Sequence, residues 1–117
     1  MDDAFWLRYL RGHADPRTRV IHAVATIAAT SVIAGAIATR TPWLILAGLA
    51  VGYGPAWFTH AFIEHNRPET FSRPLSSLFA DYRMAYVILT DTLAPELRRA
   101  GLVGDASVPS YLPSIEG

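Results

Sequence analysis

Four histidines, His13, His22, His60 and His65, stand in a chain of 117 residues. Their neutral imidazoles are good donors for iron(II), zinc and related divalent ions, and a site needs three or more of them converging on one point. Cysteine is absent, which excludes disulfides, thiolate ligation and iron–sulfur clusters. Glu64 follows His60 by four residues, so both project from one helical face, whereas His65 is turned away from His60 by about 140° at ideal helical geometry. Asp15, Asp81 and Glu64 are the carboxylates placed to ligate an ion or to orient a ring. Any one of these histidines, taken alone, is as well explained by a bond to a backbone carbonyl or a lipid headgroup. Their common depth in the elements that carry them favours a shared metal.

Those elements are two long apolar runs. Residues 20–38 carry no charge and, at 1.5 Å per residue, reach roughly 28 Å, close to the thickness of a bilayer core. Residues 42–63 form a second run, opened by Thr41 as N-cap and Pro42 as first helical residue. The connection at Arg40 and Thr41 is so short that the two must be antiparallel neighbours, which brings His22 and His60 to the same level. Half of the chain is hydrophobic (51%), and its remaining segments are too polar to cover two such helices in water. The expected class is therefore all-α: a single integral membrane domain, 1–117, built on an antiparallel transmembrane hairpin.

On the second run Gly48, Gly52 and Ala56 form a small-residue row leading to His60 and Glu64; on the first, Ala25, Ala29, Val32 and Ala36 form a comparable seam. Both histidines are thereby expected to face between helices. Pro55 removes a backbone hydrogen bond to Val51 and should open the helix about a turn before His60. The segment 1–12 reads as an interfacial helix with Phe5, Trp6, Tyr9 and Leu10 on its apolar side. Residues 75–94 make a third helix, short or tilted, on the pattern Leu75, Leu78, Phe79, Tyr82, Ala85, Tyr86 and Leu89. Pro95 to Arg99 adds a helical turn, and 101–117 is an irregular tail.

All ten cationic residues are arginines, and only Arg40 lies between the two runs, which puts both termini in the cytoplasm by the positive-inside rule. Met1-Asp2-Asp3 lacks the positive start of a cleaved signal peptide. Zero net charge and the lack of any lysine-rich patch argue against nucleic acid as a partner.

Tyr9-Leu10, His13, Pro16, Arg19 and His22, then Tyr53, Trp57, His60, Phe62, Glu64, Asn66, Arg67 and Pro68, and finally Pro74, Leu75, Ser77, Leu78, Asp81 and Met84 form an ordered set. In this order they resemble the small membrane proteins related to the fungal 2-hydroxy fatty acid dioxygenase. The resemblance implies an Fe(II) cofactor held by histidines, dioxygen as co-substrate, and a 2-hydroxy fatty acid shortened by one carbon, the chemistry of fatty acid alpha-oxidation. It places the family's histidine positions on His13, His22 and His60, with Glu64 as a fourth ligand or a nearby base and His65 as a further candidate. Arg19 and Arg67 would steady the substrate carboxylate, and the acyl chain would lie along the apolar helices. Thr18, Ala25 and Thr59 depart from the family pattern, which usually has Asn at the first position and often Gly at the other two. Two other readings fit the residues: a non-catalytic membrane scaffold, pairing with a second copy or another membrane protein through the glycine row, and a zinc or di-iron lipid-modifying enzyme. Four histidines and few nearby carboxylates disfavour two irons.

Overall fold

The computed structural model describes residues 2–102, and these form helices α1 (Asp3–Arg11), α2 (Pro16–Thr39), α3 (Trp43–Thr59), α4 (Pro74–Leu89) and α5 (Leu93–Arg99) with no strand among them. The expected tail lies largely outside the described residues.

Asp15 starts α2 by accepting the Arg17 backbone N–H at 2.8 Å, with Pro16 in the first turn where no donor is missed. The 24 residues of α2 are long and apolar enough to cross a membrane, with a hydropathy of 2.0 in the most apolar window. Arg40 ends the helix in the left-handed conformation (φ 53°), and the Thr41 N–H reaches back to the Ala36 carbonyl at 2.9 Å. Thr41 is consumed by that turn. Its hydroxyl meets Thr39 at 2.8 Å instead of capping α3, so Pro42, expected inside the second helix, occupies the N-cap.

The α2–α3 hairpin closes where side chains are smallest. A Cβ on Gly48 would lie 2.5 Å from Ile33 Cγ1, and one on Gly52 would lie 3.1 Å from Ala29 Cβ. Ile33, not Val32, therefore continues the α2 seam beyond Ala29. The glycine row is spent inside the chain, which corrects the expectation that it could pair with a second membrane protein. Pro55 lies within α3, but the irregularity comes later: His60–Glu64 widen into a π-helical segment that ends on His65 at φ 58°.

Helix α4 packs on α2 and does not run along α3, so a groove is left between α3 and α4 with α2 as its floor. The third helix differs from expectation in one respect. It breaks at Thr90–Thr92, with Asp91 at φ 56°, before α5 begins. Its large residues Leu75, Leu78, Phe79, Tyr82, Tyr86 and Leu89 point outward, and Ser77, Ala80, Met84, Ala85 and Val87 point inward.

Helix α1 is a core helix, not an interfacial one. Phe5, Trp6, Tyr9 and Leu10 are each 1% exposed or less and pack with Ala80, Met84, Val87, Leu97 and Ala100 from α4 and beyond. Trp6 Nε1 donates to Glu96 Oε1 at 2.8 Å, and the Arg83 guanidinium lies 4.3 Å above the Trp6 ring. With that face covered by protein, none of it remains to enter lipid.

Candidate metal centre

The connector between α1 and α2 is tied at several points. Arg19 is buried and donates from Nη1 to the carbonyls of His13 (2.9 Å) and Ala14 (2.8 Å). Asn66 Nδ2 donates to the Gly12 carbonyl at 3.1 Å, and Glu64 Oε2 accepts the Asp15 N–H at 2.8 Å. These bonds bring the start of α2 against the end of the π segment. Between them His13, 1% exposed, stacks on Tyr9 with ring centroids 4.0 Å apart.

Three rings meet at this point. The centroids of His13, His22 and His60 are separated by 4.3, 4.6 and 5.1 Å, with every pair of planes near perpendicular. One nitrogen from each lies within 4.8 Å of the other two. Hydrogen bonds on the outer edges set the tautomers. His13 Nδ1 is 2.6 Å from the Tyr9 carbonyl, which can only accept, so Nδ1 holds the proton and Nε2 keeps its lone pair. His60 Nδ1 is held in the same way by Asn66 Oδ1 at 2.6 Å. His22 Nε2 is 3.1 Å from the Thr59 hydroxyl; that hydroxyl gives its own hydrogen to the Ala56 carbonyl (2.7 Å) and so accepts from His22. His22 Nδ1 then faces Asp81 Oδ1 at 3.5 Å, and Asp81 also accepts the Tyr9 hydroxyl hydrogen.

His13 Nε2 is buried with no hydrogen-bond partner. An unpaired buried polar atom costs about 1–3 kcal/mol, and an ion at the centre of the three rings would satisfy it. The donor set, three neutral imidazoles with a carboxylate beside one of them, suits iron(II) or zinc. Burial, reinforced by the neighbouring His22 and His60, pushes the His13 imidazole well below its ordinary pKa. Burial and the nearby Asp81 carboxylate raise the Tyr9 phenol, so it stays a donor.

The depressed His13 pKa has a definite sign for stability. Below the ordinary histidine value the unfolded chain takes up a proton that folded His13 refuses, so the metal-free protein loses stability as pH falls through that range. Thermal melts stepped from neutral to mildly acidic pH should show a falling Tm, and His13→Gln should flatten the slope. An identical slope in that variant would contradict the assignment.

Of the residues expected at the site, His13, His22 and His60 are brought together, and four others are not. His65 is exposed at the left-handed end of the π segment, because the widened turn carries it outward. Glu64 uses its carboxylate on the Asp15 backbone instead of the ring cluster. Arg19 spends its donors on the connector, and Arg67 is exposed, its guanidinium 5.7 Å from the Phe71 ring centre. Tyr9, Thr59 and Asn66 were not singled out for their contacts to the histidines. Tyr9 carries a signal, since it precedes His13 by four residues; Thr59 carries none because its contact to His22 is made by tertiary packing, and Asn66 carries none because its contact to His60 depends on the π segment. Thr18, which replaces the family's usual Asn, is wholly buried and its hydroxyl has no partner.

A family model described as "2-hydroxy-palmitic acid dioxygenase Mpo1-like" matches residues 2–93. The chain belongs to the Mpo1-like family. The part matched by the Mpo1-like model runs from α1 to the first residue of α5 and contains all three clustered histidines with Tyr9, Thr59, Asn66 and Asp81. No curated protein and no solved structure matches the chain.

Proposed function

We propose that this protein is an Fe(II)-dependent dioxygenase that shortens a 2-hydroxy fatty acid by one carbon. The observation that carries it is the buried triad His13, His22 and His60, one nitrogen of each within 4.8 Å of the other two and His13 Nε2 unpartnered, in a chain whose family description names such a dioxygenase. The balance is one hydroxy acid and one dioxygen giving a carboxylic acid one carbon shorter, carbon dioxide and water, with the bond between the carboxyl carbon and C2 broken. Iron(II) held by the three imidazoles supplies dioxygen chemistry and a point of chelation for the hydroxyl and carboxylate of the substrate.

The chain's own residues supply the rest. The Tyr9 carbonyl and Asn66 keep the inner nitrogens of His13 and His60 unprotonated. Asp81, hydrogen-bonded by Tyr9 and facing His22, is a carboxylate able to hold a proton next to the reacting centre. Trp57 and Tyr53 line the groove that leads to the cluster.

The proposal places the protein in a membrane, with α2 and α3 crossing as a hairpin and both termini cytoplasmic. Eighteen large apolar residues among the described residues are exposed, including Ile37, Trp43, Leu46, Phe62, Leu75 and Leu89, far more than a water-facing monomer of this size carries without aggregating. Arg40 alone marks the far side of the hairpin.

The test is chemical. Protein purified without chelators and reconstituted anaerobically with Fe(II) is given oxygen and a 2-hydroxy fatty acid labelled at the carboxyl carbon. The expected result is labelled carbon dioxide and an unlabelled acid one carbon shorter. Absence of bound iron, or iron-loaded protein that leaves the acid intact, overturns the proposal.

A further inference from the structure

The groove between α3 and α4 begins at the histidine cluster and encloses about 230 Å³. It changes character along its length. Near the cluster it is lined by polar groups such as Asp81, Ser77 and Thr70; at the other end it is lined by Ile33, Gly48 and Leu49. One pair of hydroxyls in its middle is already satisfied within the chain. Thr30 gives its proton to the Thr26 carbonyl at 2.7 Å and so accepts from Tyr82 at 2.6 Å, which uses both. That pair offers a ligand nothing further, and the Ala29, Ile33, Leu49 and Ala56 side chains along the same stretch suit an alkyl chain.

The floor and the α3 wall stop at the same level. Ile33 lies eleven residues beyond His22, and Leu49 eleven before His60, so each stands roughly 16 Å from the cluster at 1.5 Å per residue. Ile33 is held across the groove floor because Gly48 has no side chain; a Cβ there would come within 2.5 Å of Ile33 Cγ1. The α2–α3 packing therefore also fixes the position of the stop.

We propose that this groove gauges the acyl chain of the ligand, with Ile33 and Leu49 as its end stop. This rests on the proposed function only in seating the ligand's polar head at the histidine cluster. The ligand is then an amphiphile with one small polar head and a straight saturated chain on the order of a dozen methylenes beyond it, which is what a groove of about 16 Å holds.

The experiment reads bound chain length, not turnover. Protein in lipid nanodiscs is incubated with an equimolar series of saturated 2-hydroxy fatty acids rising by two carbons, and the retained acids are counted by native mass spectrometry. The wild type should retain a narrow band of lengths. Ile33→Ala should raise the ratio of the next longer acid to the wild-type optimum by about tenfold, since it removes the overpacking that a longer chain meets at the stop. Leu49→Phe should move the band to shorter acids, and Ile33→Val should fall between wild type and Ile33→Ala. Helical circular dichroism confirms that each variant folds. An unmoved band in folded Ile33→Ala and Leu49→Phe, or equal retention of every length by the wild type, overturns the gauge. A shifted band in protein that fails to oxidise the acid sustains the gauge and removes the dioxygenase instead.

Discussion

His60→Ala is expected to weaken metal binding by at least about 100-fold, and His13→Ala and His22→Ala to do the same. Partners that merely orient a ligand are typically worth 10–100-fold in affinity, and a ligand itself cannot be worth less than the group that orients it. Asn66→Ala therefore makes the internal standard. It removes the acceptor at 2.6 Å from His60 Nδ1, frees the ring to present either tautomer, and should cost about 10–100-fold. Glu64→Gln and His65→Ala, whose side chains lie away from the rings, should leave affinity within about threefold, the scale of an ordinary surface change of about 0.5 kcal/mol. Cobalt(II) titration followed by its visible spectrum measures all six variants without any turnover. Three histidine variants that bind cobalt as the wild type does would falsify the triad as a metal centre.

The second large effect is on stability. Trp6→Ala should destabilise the fold by about 3–5 kcal/mol, the usual cost of emptying a buried tryptophan site. Trp6 has no exposed surface, stacks on Tyr9 at 5.6 Å, donates to Glu96 and lies under Arg83. Had α1 been an interfacial helix, the same change would remove only part of a lipid contact. Thermal unfolding in detergent, monitored by circular dichroism, distinguishes the two. A Tm within a degree or two of the wild type would mean that α1 is not part of the core. Loss of Trp6 should also weaken metal binding, because Tyr9, which carries His13 on its carbonyl and its ring, is stacked directly on it.

The parts of the fold legible in the sequence are those governed by local pattern. Asp15-Pro16 supplies the cap of α2, the uncharged run 20–38 lies wholly within its 24 residues, and Arg40-Thr41 makes the turn, so the level match of His22 with His60 follows from counting. Facing direction was harder to read. In water the large apolar side of a helix is the inner side, and by that rule Phe5, Trp6, Tyr9 and Leu10 should have been assigned to a core. In α4 the rule inverts: small Ala80 and Ala85 face the protein, and Leu75, Phe79 and Leu89 face out. Periodicity locates a stripe but does not say which solvent it meets. The π segment at His60–Glu64 was not legible, since its residues carry no signal that distinguishes a widened turn from an α-helical one. Its effect is decisive, turning His65 outward and folding Asn66 back under His60. Glu64 and Arg19, whose roles at the site came with the family resemblance, are both taken up by the backbone of the connector.

The three rings come from a loop, the first long helix and the end of the second, and the loop belongs to a part of the chain whose hydrophobic core is separate from the α2–α3 hairpin. An ion bound there is a further tie between that part and the hairpin, beside the packing of α4 on α2 and the bonds of the connector. At one hundred times its dissociation constant such an ion adds about 2.7 kcal/mol to the joined state, comparable to a disulfide, in a chain that has no cysteine to make one. On the proposed function the cofactor is thus also a report of assembly: the hairpin alone offers two of its imidazoles, and the full set exists only once α1 has docked.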